Sequence, residues 1–346
     1  MRVTHSRIIY FMKSYWKNKI FLIYLIAASA LFLSVILGVS LGSTKVSIIG
    51  ALSKIFSGNI ESTQARIFIY VRLPRVIACI GAGAALAVSG AIIQGVLANS
   101  LASPSIIGVN AGAGLAITVS SALGIVGGLW FSLFSFLGAF LTVIAVSLGA
   151  GKWGASRGTV ILIGVAVNAF LGAITDTFTT FIPELSIVTN DFKIGDFSAV
   201  TYQRVLPAFV IVIIAVIIST TVSNELDVLT LGDESARSLG LNTVLMRVVF
   251  LLLAALLAGA AVSICGLLSF VGLLVPHAVR RVSASKSKHL IPLCALFGAG
   301  FVTLCDTVAR TAFAPYELPV GIIMAFLGAP FFIFILVKGK GGHRHA

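Results

Sequence analysis

Residues 248–279 read VVFLLLAALLAGAAVSICGLLSFVGLLVPHAV, with no Asp, Glu, Lys or Arg among them. At 1.5 Å per residue a continuous helix over this stretch would run about 48 Å, well beyond the roughly 30 Å hydrocarbon core of a bilayer. A soluble core has no need of so long an uncharged run, and one membrane crossing cannot use all of it. The stretch therefore predicts one crossing, a break, and a shorter descending helix. Gly266 and Pro276 are the residue types that interrupt helices, and the break is expected there.

Working outward, apolar stretches recur at 20–42, 76–98, 106–126, 129–149, 159–181, 205–222, 290–307 and 318–337. With the divided run they give ten spans, an all-α polytopic membrane protein. Its single membrane domain covers 20–337, between an N-terminal segment at 1–19 and a tail at 338–346. Composition agrees: 58% of residues are hydrophobic and 10% charged, where a soluble domain carries about 25% charge. The basic residues before the first run precede too long an apolar stretch for a signal peptide and no cleavage signature follows, so a retained first helix is expected.

The net charge of +13 is not a nucleic-acid footprint, because the cations are scattered in short segments between apolar runs. Ten crossings put both termini on one side. That side receives 16 of the 24 Lys and Arg residues, in the first segment, 152–157, 224–247, 280–288 and the tail, and is cytoplasmic by the positive-inside rule. Lys45, Lys54, Arg66, Arg72 and Arg75 cluster on the opposite side, an exception that needs a reason. Cys79, Cys265, Cys294 and Cys305 lie in apolar stretches without metal-binding or disulfide spacing and read as small packing residues. Gly83-Ala84-Ala85 followed by Gly90 is echoed by Gly259-Ala260-Ala261 followed by Gly266. Five crossings separate the copies, which makes them antiparallel, the mark of an inverted five-helix repeat.

Several blocks then carry a specific resemblance. Arg72-Leu73-Pro74-Arg75 leads through Gly83-Ala84-Ala85-Leu86, Ser89-Gly90 and Gln94-Gly95 to Asn99-Ser100-Leu101-Ala102-Ser103-Pro104 and Gly108-Val109. Further on stand 231–240 (LGDESARSLG), 270–277 (FVGLLVPH), 317–321 (ELPVG) and 328–332 (GAPFF). In this order, over about residues 70–337, they resemble the iron-chelate and cobalamin permease family of ABC importers, the transmembrane subunits of type II importers. The resemblance implies ten helices per subunit, a second identical or homologous permease subunit enclosing one pathway, two cytoplasmic ATP-binding cassette ATPases, and an extracytoplasmic substrate-binding protein. Cell-membrane localisation with both termini cytoplasmic follows.

Roles follow from the matching positions. Gly232, Asp233, Glu234, Ser235, Ala236, Arg237 and Gly240 form a short polar segment of helical composition; in the family the matching segment sits in a groove of the ATPase and couples nucleotide-driven closure to the membrane helices. Arg72, Arg75 and Arg310 are implied to receive acidic side chains of the binding protein, work suited to the planar guanidinium fork. For Arg310 the residues also allow an internal ion pair with Asp306, one turn earlier. Asn99 and Leu101, in the link after the second span, are nominated as gate residues, although Asn there is also good turn chemistry. Asp176 is expected to face the pathway or its outer mouth, because facing lipid would be costly. Residues 182–204 read as an outer loop with a short helix.

Other functions fit less well. An ion-coupled secondary transporter would tolerate the inverted repeat but needs titratable groups at mid-membrane, where the chain offers only Asp176 and Asp306 near span ends. An intramembrane enzyme lacks paired carboxylates, His-Glu-x-x-His or Gly-x-Ser-x-Gly. His277, alone beside Arg280 and Arg281, is a poor metal or haem ligand. Gly149-Ala150-Gly151-Lys152 misses the first glycine of a phosphate-binding loop and is followed by Trp153 in place of Ser or Thr. No cofactor is expected in this chain, and ATP and Mg belong to the partner ATPases. An iron-siderophore is the favoured cargo, with haem and cobalamin as the alternatives.

Overall fold

The computed structural model describes residues 2–44, 47–152, 157–283 and 286–340. Lys45, Trp153 and the tail beyond residue 340, which entered the charge and motif readings, lie outside the described residues. Among the described residues the secondary structure is entirely helical. Backbone groups in hydrocarbon have no water to bond, and helices satisfy them within the segment.

The first half comprises α1 (Arg2–Ser40), two short helices α2 (Ile48–Phe56) and α3 (Thr63–Ile67), then α4 (Leu73–Val96), α5 (Val109–Ala122), α6 (Gly128–Lys152) and α7 (Arg157–Phe181). A bridging helix, α8 (Leu185–Ile194), follows. The second half comprises α9 (Tyr202–Thr221), two short helices α10 (Ser223–Thr230) and α11 (Asp233–Ser238), then α12 (Thr243–Cys265), α13 (Val271–Val282), α14 (Ser287–Thr311) and α15 (Val320–Lys340). Seven of these helices are long and apolar enough to cross a bilayer, and α5, α13 and α15 complete the order of ten.

The halves correspond element by element. Helices α4, α5 and α6 have 24, 14 and 25 residues, and α12, α13 and α14 have 23, 12 and 25. Packing partners exchange under the same pairing: α4 lies on α14 and α13, while α12 lies on α6 and α5. Helices α4 and α12 also pack on each other at the centre, where Ser89 Oγ donates to the Ala254 carbonyl at 2.7 Å. The Gly-Ala-Ala echo sits on these two central helices. On α4, Gly83 meets Gly298 of α14 so closely that a Cβ on either would overlap the other's carbonyl. Lipid supplies no hydrophobic drive between helices, so close backbone contact of this kind, with its dispersion energy, contributes to holding α4 on α14.

The break in the opening stretch falls where one of its two breakers stands. Gly266 ends α12 with φ 70°, and the link to α13 is held by Leu267 N donating to the Phe192 carbonyl of α8. Pro276 is different: it lies inside α13 and breaks nothing. Its missing N–H frees the Gly272 carbonyl four residues back, and Gln94 Nε2 of α4 donates to that carbonyl at 3.3 Å. A neighbouring side chain thus replaces the lost bond, as membrane helices permit. Short helices α5 and α13, about 21 and 18 Å long, each cover only part of the bilayer depth. Two boundaries also shift: α1 starts well before residue 20, and α5 is shorter than 106–126 because a 3₁₀ turn, Pro104–Ile107, precedes it. The four cysteines are buried and unpaired by disulfides.

Candidate functional site

Two polar stations occupy opposite ends of α4. Arg75 lies in its first turn, and Gly95, in its last, packs against Leu226 of α10; the helix between spans about 36 Å.

At the first station Asp306, with 1% of its side chain exposed, receives two arginines. Arg75 Nε donates to both its oxygens at 3.0 and 3.2 Å, and Arg310 Nε sits 2.9 Å from Oδ2. Arg75 Nη1 donates to Glu317 at 2.7 Å, with Asp196 3.8 Å from Nη2. The remaining donors cap the carboxyl end of α1. Arg310 Nη2 donates to the Gly38 carbonyl at 2.8 Å, and Arg72 bonds the carbonyls of Val39, Ser40 and Thr44, each at 2.7 Å. The last carbonyls of a helix have no partners within it and carry its negative pole, so cations belong there. Arg72 thus finds backbone carbonyls and Arg75 finds carboxylates on the less basic side, partners that the sequence does not show. All three arginines are buried, and the internal Asp306–Arg310 pair weighed from the sequence is formed. Glu317 lies in the loop between α14 and α15. Burial pushes its pKa up, but the Ser43 hydroxyl, donating at 2.6 Å, and the Arg75 guanidinium outweigh that and hold it below the usual carboxylate value.

At the second station the polar segment is a knob of two helices, α10 and α11, joined at Gly232, whose φ of 103° a Cβ would strain. Leu226, Leu229 and Ala236 are buried at its root. Arg247 Nη2 of α12 donates to Asp233 at 2.6 Å, and Arg237 Nε to Thr243 Oγ1 at 3.3 Å. Arg157, opening α7, donates to the Leu229 carbonyl at 2.7 Å. Asp227 accepts from Ser287 N at 2.9 Å and so caps the N-terminus of α14. The outer surface of the knob exposes Glu234, Ser235, Arg237 and Gly240 beside Leu231 and Leu239, 62% and 65% exposed.

A family model described as the FecCD transport family matches residues 30–338, which contain both stations. The chain belongs to the FecCD transport family. It is 36% identical to the uncharacterized ABC transporter permease protein YvrB of Bacillus subtilis, over 95% of this chain and 97% of that one. With the Fe(3+)-citrate import system permease protein YfmD of Bacillus subtilis it shares 34% identity, over 88% of this chain and 91% of that one. Among solved structures, a metal-chelate type ABC transporter in an inward-facing conformation superposes with a TM-score of 0.78 at 25% identity, covering 93% of this chain and 99% of that one. This FecCD protein is therefore a multi-pass membrane permease of the ABC class.

In this FecCD chain the nominated gate residues occupy different levels. Asn99 and Leu101 are exposed in the turn after α4, where Asn99 Oδ1 accepts from Leu101 N at 2.9 Å, the turn chemistry weighed from the sequence. Asp176 is exposed on α7 beside Thr177 and Thr180, nearer the opposite end. Sequence reasoning passed over four residues that fix the knob and the link between α4 and α5. Arg157, Asp227 and Arg247 anchor the knob, and Asn168 of α7 donates to the carbonyls of Ser105 and Ile106 at 2.9 and 3.3 Å. Each is a polar residue at a helix end or within an apolar run, a signal that could have been followed. Residues 182–204 do contain a short helix, α8, and its end is tied to the core by Asp196 N donating to the Cys265 carbonyl at 2.9 Å. Among the described residues no three His, Cys, Asp or Glu side chains come together as a metal site.

Proposed function

We propose that this chain is the transmembrane permease subunit of an importer for an iron-siderophore or similar metal chelate. In this reading it encloses the pathway with a second permease subunit, identical or homologous. Two ATP-binding cassette ATPases grip the α10–α11 knob on the cytoplasmic side, and an extracytoplasmic binding protein delivers cargo at the arginine end. The observation that carries the reading is the knob itself: an exposed face of Leu231, Glu234, Ser235, Arg237 and Leu239 over a root fastened to α7, α12 and α14. A push on that face moves three membrane helices together, because hydrogen bonds and buried leucines leave the root little independent freedom. ATP and Mg bind the partner subunits, and this chain supplies the levers and the wall of the pathway.

At the other end the binding protein's acidic side chains approach Arg72, Arg75 and Arg310, competing for Arg75 with Glu317 and Asp196, whose side chains are 31% and 29% exposed. Asn99 and Leu101 narrow the cytoplasmic exit, and Asp176 faces the pathway. Iron chelate is favoured by the relative named for ferric citrate, with haem and cobalamin as alternative cargoes of the same family. Ion-coupled secondary transport is disfavoured because Asp306 is already committed to two arginines. The test is the Glu234→Ala, Arg237→Ala double variant in the assembled importer. Uptake of a labelled ferric chelate should fall on the order of tenfold, the equivalent of about 1.4 kcal/mol of lost coupling, with ATPase co-purification reduced or hydrolysis continuing without uptake. Wild-type uptake would remove the coupling role.

A further inference from the structure

A cleft of about 410 Å³ opens on the side of the bundle where α13, α14 and α15 meet, and no polar or charged side chain lines it. It marks a departure from the internal symmetry. In the first half Gly112, fourth residue of α5, meets Gly138, eleventh of α6, and a Cβ on either would run into the other's carbonyl. Those two helices close on each other. In the second half the fourth residue of α13 is Leu274 and the eleventh of α14 is Phe297. Both are large side chains where the first-half pair are glycines in contact, and both line the cleft. Its volume is in the range of ligand sites.

The surroundings indicate what fills it. Along α14 the Phe297 and Phe301 face continues into Leu304 and Val308, 40% and 48% exposed, a stripe that in a membrane protein faces hydrocarbon. At the other end, the lining face of α13, through Leu274 and Ala278, runs on to Arg281 in the last turn. Arg281 is exposed, and its side chain forms no ion pair among the described residues. An apolar slot with an unneutralised arginine next in the chain to its lining residue Val282, at a helix end, matches a molecule with a hydrocarbon tail and an anionic head. We propose that the α13–α14–α15 cleft binds one acyl chain of an anionic phospholipid, whose phosphate is received by the planar fork of Arg281. The site does not depend on the transport reading.

The test is native mass spectrometry of the purified full chain, delipidated and titrated with phosphatidylglycerol or with phosphatidylcholine of the same acyl chains. The wild-type chain should retain phosphatidylglycerol over phosphatidylcholine by about fivefold, as one basic residue near an anionic headgroup supports. Arg281→Gln should abolish that preference, and Ala278→Phe, at an exposed position that fills the cleft, should release both lipids with thermal unfolding unchanged. A persisting preference in Arg281→Gln would overturn the proposal. So would Ala278→Phe that keeps its lipid but shifts the monomer–dimer balance, since the cleft would then belong to a contact between two copies.

Discussion

Asp306 is the residue on which the arginine station turns. It is the fully buried acid among three buried arginines, and removing its charge leaves Arg310 without its ion-pair partner and Arg75 with only the partly exposed Glu317 and Asp196. Breaking a buried pair from one side costs more than the pair contributes, because the orphaned charge stays desolvated. Asp306→Asn, close in shape, should therefore destabilise the chain by about 3–5 kcal/mol, seen as a lowered midpoint of thermal unfolding in detergent. An unchanged midpoint would mean the arginines find water or carbonyl partners instead. Part of this station was legible in the sequence: Asp306 and Arg310 stand one helical turn apart, and that spacing predicts a pair. The Arg75 contact joins residues 231 apart, and no local rule reaches so far. The place of Arg72 was hard to read for a related reason, since a charge rule that counts side chains does not count the carbonyls after α1 that they bond.

Among elements, what the sequence conveyed was length and apolarity, and what it concealed was depth. The long spans were readable because about 20 apolar residues have one use. Helices α2 and α3 went unnoticed because, at 9 and 5 residues, neither is long enough to register as a span, and Pro276 was misread because its compensating donor, Gln94, lies on another helix. The knob was legible as a polar interruption, but its division into α10 and α11 and its anchors Arg157, Asp227 and Arg247 depend on contacts across the bundle. The α4–α14 crossing is an element contact sensitive to size. Gly83→Leu must push α14 away from a backbone it now touches, and overpacking of this kind costs about 1–3 kcal/mol or more. The expected result is a lower unfolding midpoint than for Leu at Gly172 of α7, where nothing lies within 4 Å of an added Cβ. Equal midpoints would show that the crossing yields.

Over the whole molecule, α4 carries the two stations at its opposite ends, and orientation becomes a single question. A cysteine at Ser235, on the knob, should stay unlabelled by a membrane-impermeant maleimide in intact cells and label after permeabilisation. A cysteine at Tyr316, 79% exposed beside Glu317, should label already in intact cells, and the opposite pattern would invert the assignment. The repeat was only faintly legible, as two Gly-Ala-Ala strings, because what the halves share is helix order and packing partners, which many sequences can satisfy. One feature noted for packing alone makes such experiments direct. Because the chain's four thiols are shut inside the helix bundle, it is chemically quiet towards thiol reagents as it stands. Its surface topography can be charted one engineered handle at a time, against a dark background and without first stripping the native sulfur from the core.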